Sequence, residues 1–439
     1  MNPAPDLLAR LEEAIEARKK AGDERAYPQA RALLGWFEDR KAVRDPIYDQ
    51  IKMNEVERSV FRTPEFQRLR WVRQMDFAYT VYPAAEHSRF THSLGVCQAA
   101  KSLFDTIADN VRRRSPSRGR QPDTSTRERP IAEPFRLFDR VLVGLAALLH
   151  DLSHPPFSHA FDARPDLLEH DNFETNPFLL RALFDNSSSE LAQVLREWDP
   201  NFQLLLEAES HPLIDSALPA FPGVAALVFE ILAVKATDDS GEGYYCLCPS
   251  AAPETLASEQ LTQWAGSGWD RTPVALKRVH VKTSAFFRRL HCNIVANTIS
   301  ADLLDYIRRD TRVAGLPRDL DRHFYSYISS AEYRGRHRVV VELEDRQGHV
   351  RRDALSDLMN CMELRYIIHE RIVLHRAVVA ARAMAARLYP PVPDAASNQW
   401  AVVERMYGKW ARPLSDAEVL GGRYPVTEVE AGGRGRVGR

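Results

Sequence analysis

The segment LLHDLSHPPFSHAF, at residues 148–161, crowds histidines and an aspartate beside a strongly apolar stretch. His150 and Asp151 are adjacent, and His154 and His159 follow them. Burying an ionised carboxylate and an imidazole without partners is costly. A divalent cation would be a partner for both, because imidazole nitrogens and carboxylate oxygens bind Mn, Fe, Zn or Mg-type ions. The segment therefore indicates a metal centre, although a lone His–Asp pair is more often an ordinary hydrogen-bonded pair.

A metal centre here needs ligands from further elements, since neighbouring residues of one helix diverge by roughly 100°. His92, in HSRFTHSLG, is one candidate. The other is an aspartate of NTISADLLDYIRRD, where Asp302 and Asp305 compete. His170, close behind the first segment, adds to the group of histidines.

Mostly helical elements must position these side chains. Residues 139–152, DRVLVGLAALLHDL, predict a helix that is buried almost all round. Other helical periodicities lie at residues 5–20, 28–40, 91–112, 173–235, 283–314 and 354–389. YTVYP is short and β-like, and RHRVVVELEDRQGHVRRDAL alternates about Gln347-Gly348 as a β-hairpin does. We therefore expect a mostly α fold, a helical bundle with a small β-hairpin and a short C-terminal lobe.

Composition excludes some classes of protein. Apolar residues make up 44% of the 439 residues and charged residues 27%, which is typical of a globular chain with a sizeable core. The net charge of −1 does not indicate nucleic acid as a partner. No run approaches the ~20 apolar residues of a membrane span, so we expect no membrane partner. Five scattered cysteines fit a reducing, cytoplasmic location.

Changes in composition suggest three regions. We expect an N-terminal helical extension at 1–44, a catalytic domain at 45–390 and a C-terminal segment at 391–439, whose Gly/Arg-rich tail is predicted to be disordered. The domain would carry loop insertions at about 112–134 and 236–272. The first insertion is arginine-rich, which is typical of a solvated loop but would also suit an anion.

Four segments, in order along roughly residues 45–380, carry a resemblance to a known family. They are DPIYDQIKMNEVERSVFRTPEFQRLRWVRQMDFAYTVYPAAEHSRFTHSLGV, LLHDLSHPPFSHAFD, ADLLDYIRRDTRVAGL, and the hairpin with ELRYIIHERIVLH. On these motifs the sequence resembles HD-domain phosphohydrolases. More narrowly, it is similar to the deoxynucleoside triphosphate (dNTP) triphosphohydrolases, without the sterile alpha motif of the animal enzymes. The resemblance implies an HD-domain helical bundle.

The resemblance also implies roles for the residues that match the family's motifs. The metal ligands would be His92, His150, Asp151 and Asp302. His159 would protonate the leaving group, and the reaction centre would be lined by His154, Asp162, His170 and Asp171. Substrate contacts would come from Arg89, Gln74, Tyr306, Asp310, Arg365 and His369.

The implied reaction is metal-dependent hydrolysis of a dNTP to a deoxynucleoside and inorganic triphosphate. Metal-activated hydroxide would attack the α-phosphorus. A histidine would protonate the leaving 5′-oxygen near pH 7, and arginines would hold the anionic triphosphate. The resemblance further implies a nucleotide substrate and a homo-oligomer, and it leaves a nucleotide effector open.

Three positions depart from the family pattern. Leu303 stands where close relatives carry a lysine that touches phosphate, and Val373 where they carry a tyrosine near the sugar. Arg62 replaces an aspartate that reads an activating guanine nucleotide in the animal enzyme, so we expect such activation to be absent or altered. The alternative function is an HD phosphohydrolase acting on a ribonucleotide, monophosphate, signalling nucleotide or nucleic-acid end. A third hypothesis is a nucleotide- or RNA-binding module that has lost its activity.

Overall fold

The structure is a computed structural model of the chain. It describes residues 6–114, 135–162, 164, 167, 176–211, 221, 223–233, 244–248, 275–279, 285–333, 336–345, 347–388, 406–409, 412–413 and 416. The predicted residues His170 and Asp171, and the predicted disordered tail at residues 421–439, lie outside these ranges.

The predicted mostly helical fold is confirmed. The helices are α1 (Leu7–Lys20), α2 (Ala30–Phe37), α3 (Glu55–Phe61), α4 (Pro64–Gln67), α5 (Arg89–Arg114), α6 (Leu137–Leu149), α7 (Pro177–Phe184), α8 (Glu190–Ala208), α9 (Val224–Ala233), α10 (Ala285–Val295), α11 (Ala301–Val313), α12 (Arg352–Ile368) and α13 (Arg376–Leu388). Short 3₁₀ segments occur at Arg68–Trp71, Ala78–Thr80, Ser158–Phe161 and Arg322–Tyr327. Among the described residues, no helix is both long and apolar enough to cross a membrane.

Helix α6 is the central element of the bundle. Every residue of α6 except Arg140 is buried, because its apolar side chains cover all faces. It packs against α5 on one side and α9 on another, and α5 packs in turn against α11. The first turns of α5 and α11 therefore lie near the last turn of α6.

Local sequence fixes the ends of these helices. The Ser300 side chain accepts a hydrogen bond from the Leu303 N–H and so caps α11 immediately before Asp302. The Asn54 side chain accepts from the Glu57 N–H while Glu57 reaches back, which forms a capping box at the start of α3.

The described residues form four antiparallel two-stranded sheets. Their strands are β1 (Lys41–Asp45) with β2 (Asp49–Met53), β3 (Tyr244–Cys248) with β4 (Ala275–Val279), β5 (Ile328–Tyr333) with β6 (Arg336–Val341), and β7 (Gly408–Lys409) with β8 (Arg412–Pro413). Sequence patterns did not indicate the β1–β2 hairpin. Strand β3 lies inside the segment predicted to be an irregular insertion.

The hairpin predicted about Gln347-Gly348 pairs differently in the structure. Its first strand, β6, pairs upstream with β5, so that Ile328 lies opposite Val341. Beyond β6 only a single bridge, from Glu344 to Val350, spans Gly348, whose φ is +81°. The alternating residues do form a strand, as predicted, but that strand pairs mainly with the preceding strand.

Two other predicted elements are wrong. YTVYP forms part of the 3₁₀ turn Ala78–Thr80 instead of a strand. The long helix predicted over 354–389 is broken by a π-helical turn at His369–Val373, after which α13 begins at Arg376. Such turns have a backbone N–H bonded five residues back, as the Leu374 N–H is to the His369 carbonyl, and they often mark functional sites.

Candidate metal centre

Three helix ends bring metal-binding side chains together. His92 lies in the first turn of α5, His150 caps the C-terminus of α6, and Asp302 lies in the first turn of α11. One donor atom from each of these three residues lies within 4.8 Å of the others. Their arrangement could hold a divalent cation.

The distances show where the donors point. The Asp302 Oδ1 atom lies 3.1 Å from the His92 Nε2 atom and 3.8 Å from the His150 Nε2 atom. Asp151 approaches the same two nitrogens, with its Oδ2 atom 3.6 Å from that of His92 and its Oδ1 atom 3.3 Å from that of His150. The four predicted ligands thus form one group.

Two buried nitrogens test whether this group fits a metal. The Nε2 atoms of His92 and His150 are buried and have no hydrogen-bond partner in the described part of the chain. Leaving such atoms unpartnered is costly, and a cation between them and Asp302 would satisfy both. The donor set therefore fits a divalent metal, and its identity is open.

The opposite nitrogen of each ring is fixed by the protein. The Nδ1 atom of His92 lies 2.8 Å from the Asp305 Oδ2 atom, and that of His150 lies 2.7 Å from the Ala147 carbonyl oxygen. Both rings therefore direct Nε2 towards Asp302, as metal-ligating histidines do. The competing aspartate, Asp305, orients His92 from behind, whereas Asp302 faces its open nitrogen.

Two buried ion pairs connect Asp305 to Asp45 through Arg309. Arg309 donates from Nε and Nη2 to the two Asp305 oxygens at 2.8 and 2.9 Å, and from Nη1 to Asp45 at 2.9 Å. Gly95 makes this packing possible, because a Cβ atom there would lie 1.9 Å from an Asp305 oxygen. Arg309 and Asp305 are four residues apart on α11, a spacing that could have suggested their ion pair. The sequence gives no comparable signal for Asp45.

Burial and charge act together on these groups. Burial by itself lowers the pKa of His92, but the nearby carboxylates of Asp302 and Asp305 raise the pKa to about 10. Burial would raise the pKa of Asp305, but the Arg309 guanidinium and His92 hold it well below its usual range. A cation bound between these carboxylates would take the place of a proton on the His92 Nε2 atom.

Asp151 connects the metal group to the remaining predicted catalytic residues. Its side chain accepts a hydrogen bond from Arg89 at 2.5 Å and lies 3.2 Å from the His154 Nε2 atom. Burial would raise the pKa of Asp151, but Arg89, His150 and His154 hold it well below its usual range. The rings of His154 and His159 lie 5.0 Å apart, and the His159 Nδ1 atom lies 2.9 Å from the Asp162 Oδ2 atom.

Some of the predicted substrate contacts lie near the metal group. Tyr306 is partly buried, and its pKa is raised by burial and by the charges of Asp302 and Asp310, against that of Arg365. His369 lies at the surface in the π turn, where partial desolvation of the ring and the charge of Arg365 lower its pKa.

Two further predicted contacts, Asp310 and Gln74, differ in their hydrogen bonding. Asp310 is buried and lies 2.8 Å from the His87 Nε2 atom. Gln74 is partly buried, and its Oε1 atom has no hydrogen-bond partner among the described residues. The roles of all these side chains remain predictions.

Comparison with known proteins agrees with this geometry. The HD-domain family model matches residues 89–208. The predicted resemblance to HD-domain phosphohydrolases is confirmed over this region, which includes His92, His150 and Asp151 but ends before Asp302.

Curated relatives match over the same part of the chain. The deoxynucleoside triphosphate triphosphohydrolase SAMHD1 of Bos taurus is 37% identical over 133 residues, which is 30% of this chain and 19% of the relative. SAMHD1 of Homo sapiens is 37% identical over 124 residues, or 28% and 17%. Protein YwfO of Bacillus subtilis is 33% identical over 179 residues, or 40% of this chain and 33% of the relative. The matches thus cover at most a third of each of these relatives.

Proposed function

We propose that the protein is a metal-dependent dNTP triphosphohydrolase, which releases a deoxynucleoside and intact triphosphate. The observation that carries the proposal is the pair of buried, unpartnered Nε2 atoms of His92 and His150 facing Asp302. The similarity of the surrounding region to the SAMHD1 triphosphohydrolases supports the substrate class. Residues 45–390 would form the catalytic domain.

The metal would be held by His92, His150, Asp151 and Asp302. When bound, a divalent cation supplies Lewis acidity and a water of lowered pKa near neutral pH. The chain positions this chemistry through the fixed Nδ1 atoms of the two histidines. Reaction would require attack at the α-phosphorus, opposite the departing nucleoside 5′-oxygen.

Protonation of that oxygen would fall to His159. Its side chain is half exposed, and its Nδ1 atom faces Asp162 at 2.9 Å, so its Nε2 atom is directed away from the pair. A carboxylate partner in this position orients the ring, which general acid catalysis by histidine requires.

Arginines would bind the triphosphate. Arg89 is already oriented, with Nε donating to Ser158 and Nη1 donating to Asp151, and Nη2 lies outside these two hydrogen bonds. Exposed Arg365 lies near Tyr306 and His369. Guanidinium groups suit phosphate oxygens because they donate in pairs.

Product analysis tests this function. The purified protein would be incubated with Mn²⁺ and each of the eight common nucleoside triphosphates, and the products separated by ion-exchange chromatography. We expect a deoxynucleoside and inorganic triphosphate from dNTPs, and no product from the Asp151→Ala variant. Release of orthophosphate or pyrophosphate instead would contradict the assigned bond cleavage.

One observation favours the alternative substrate classes. Leu303, which stands where the family carries a phosphate-contacting lysine, is 2% exposed and packs in the core. A buried leucine cannot contact phosphate as the lysine of the family does. The set of side chains that would bind the phosphates therefore differs in this protein. A ribonucleotide, monophosphate, signalling nucleotide or nucleic-acid end, incubated with the protein in the same way, would then give product while dNTPs would not.

The expected homo-oligomer and cytoplasmic location are also part of the proposal. Helices α12 and α13 expose large apolar side chains, with Met359, Tyr366 and Met384 each more than 60% exposed, a pattern typical of interaction surfaces. Light scattering after gel filtration, with and without nucleotide, measures the oligomer and any effector. Cys97 and Cys361 are free and buried, which fits a reducing compartment.

A further inference from the structure

The turn that follows the His–Asp pair is conformationally strained. Phe157 and Ser158 both have left-handed backbones, with φ of +58° and +49°. Non-glycine residues rarely adopt this conformation, and two in succession persist only where the surroundings hold them. The turn lies between Asp151 and His159, so the two side chains depend on its shape.

A carboxylate from far along the chain holds this turn. Asp416 is 2% exposed; its Oδ1 atom accepts a hydrogen bond from the Phe157 N–H at 2.8 Å. Its Oδ2 atom accepts from the Arg73 N–H at 3.0 Å. One buried carboxylate thus ties the strained turn to the segment before α5, across 259 positions of sequence.

The same connection reaches the predicted substrate arginine. The Ser158 hydroxyl donates to the Arg73 carbonyl oxygen at 2.6 Å and accepts from the Arg89 Nε–H at 2.7 Å. Arg89 in turn donates to Asp151. The orientation of the guanidinium therefore depends on where Ser158 is held.

A second C-terminal residue fixes the start of the turn. The buried Tyr407 hydroxyl donates to the Ser153 carbonyl oxygen at 2.6 Å, and its ring stacks on Phe178 with centroids 4.3 Å apart. Buried Arg68 packs over both rings and donates to the carbonyl oxygens of Leu152 and His154 at 2.8 Å.

We propose that Asp416 and Tyr407 are positioning residues, which hold the 151–158 turn and, through Ser158, the Arg89 guanidinium in the geometry for reaction. The C-terminal segment is then part of the active centre and not an accessory tail. The inference rests on the proposed function only in treating Arg89 and His159 as groups that act on the substrate.

The test compares Asp416→Ala with a matched control, Asp199→Ala. Asp199, in α8, is also a desolvated carboxylate that accepts a backbone N–H, from Val224 at 2.7 Å. Neither α8 nor α9 supplies a predicted site residue. Asp416→Asn, which keeps one carbonyl acceptor, and Tyr407→Phe, which loses only the hydroxyl, are the milder variants.

Two readouts separate positioning from general stability. Hydrogen exchange of a peptide covering residues 151–161 should become roughly tenfold faster or more in Asp416→Ala and stay unchanged in Asp199→Ala. The kcat for a nucleotide that the wild-type protein hydrolyses should fall by about 10²-fold in Asp416→Ala, with Asp416→Asn and Tyr407→Phe intermediate. The Mn²⁺ dissociation constant should rise by a smaller factor than kcat falls, because three of the four proposed ligands, His92, His150 and Asp302, lie outside the 151–158 turn.

The outcomes are distinct from those of the proposed function. Unchanged exchange in Asp416→Ala would overturn the inference, as would an equal loss of kcat in Asp199→Ala. If the wild-type protein hydrolyses none of the nucleotides, the proposed function fails, and the exchange result alone still decides the structural claim. If Asp416→Ala does not fold, the same comparison is made with Asp416→Asn and Tyr407→Phe.

Discussion

Histidine–aspartate clusters lie at both ends of helix α6. At its C-terminus, His92 and His150 meet Asp302, whose side chain is 38% exposed. At its N-terminus, Asp139 is 1% exposed and lies 3.2 Å from the His211 Nε2 atom and 3.3 Å from the His291 Nε2 atom. The residue types are the same, and the surroundings are not.

The difference shows what separates a candidate metal site from a structural cluster. At the C-terminal end, two Nε2 atoms face a partly exposed carboxylate, so a cation can enter and retain a position for substrate. At the N-terminal end, both rings are directed at one oxygen of a sealed carboxylate. Burial would raise the pKa of Asp139, but the two histidines hold it well below its usual range. The exposure of the carboxylate and the direction of the two Nε2 atoms, more than the residue types, distinguish the candidate metal site from the structural cluster.

Removing Asp302 should have the largest effect on metal binding. We expect Asp302→Ala to bind Mn²⁺ more than about 10²-fold more weakly, because the carboxylate facing both histidines is lost. Its free energy of unfolding should change by less than about 1 kcal/mol, since the side chain is partly exposed. Isothermal titration calorimetry and chemical denaturation measure the two; retention of full metal affinity would mean that Asp302 is not a ligand.

Asp139→Asn should show the reverse pattern. It replaces a buried ionised partner of two histidines, so the free energy of unfolding should fall by about 3 kcal/mol. The Mn²⁺ bound per folded chain should not change. A loss of metal in this variant, measured by elemental analysis, would indicate that the metal binds at the N-terminal end of α6, which contradicts the proposed site.

Asp305→Asn should weaken metal binding less than loss of a ligand does. The neutral amide keeps the shape but not the charge that orients His92, and such outer partners typically contribute 10–100-fold in affinity. Asp49→Asn is the control, because Asp49 forms an exposed ion pair with Arg44 within the β1–β2 hairpin, which also contains Asp45. Equal metal affinities in the two variants would exclude a role of the Asp305–Arg309 ion pair in metal binding.

The smallest expected effect is a pH dependence at the N-terminal end. Glu209 accepts the N–H groups of Leu137 and Phe138, and burial raises its pKa to about 7 despite these hydrogen bonds. Because the folded protein binds this proton more tightly than the unfolded chain does, stability should decrease as the pH rises from about 5 to 8. The decrease attributable to Glu209 should be on the order of 1–2 kcal/mol.

The Glu209→Gln variant checks the sign. Denaturation midpoints at pH 5 and pH 8 should differ less in this variant than in the wild-type protein. The metal-binding end of α6 should not respond to the substitution. A larger pH dependence in Glu209→Gln would show that the carboxylate is stabilised, not destabilised, by the fold.

Local sequence signals identified the part of the site that is local. The crowding of His150, Asp151 and His154 pointed to a metal centre, and the structure brings His92 and Asp302 to the same point. The periodicity of α5, α6 and α11 also predicted the helices that carry them. Where two aspartates competed, three-dimensional geometry was needed, since only the hydrogen bond to His92 shows that Asp305 faces Nδ1.

The remainder depends on contacts between distant segments. Nothing in the local sequence around Asp416 indicates that it accepts the Phe157 N–H, and the strained turn has no glycine to mark it. The π turn at His369–Val373 lies within an uninterrupted helical periodicity. The alternation of apolar and polar residues in β6 predicts a strand but does not specify its partner, which is β5.

The most direct test of the account is the position of bound metal. Crystals grown with Mn²⁺ would be measured at the manganese absorption edge, and an anomalous difference map calculated. We predict a peak within bonding distance of the His92 and His150 Nε2 atoms and of Asp302. A peak beside Asp139, or none at the C-terminal end of α6 with Mn²⁺ in excess, would contradict the central claim.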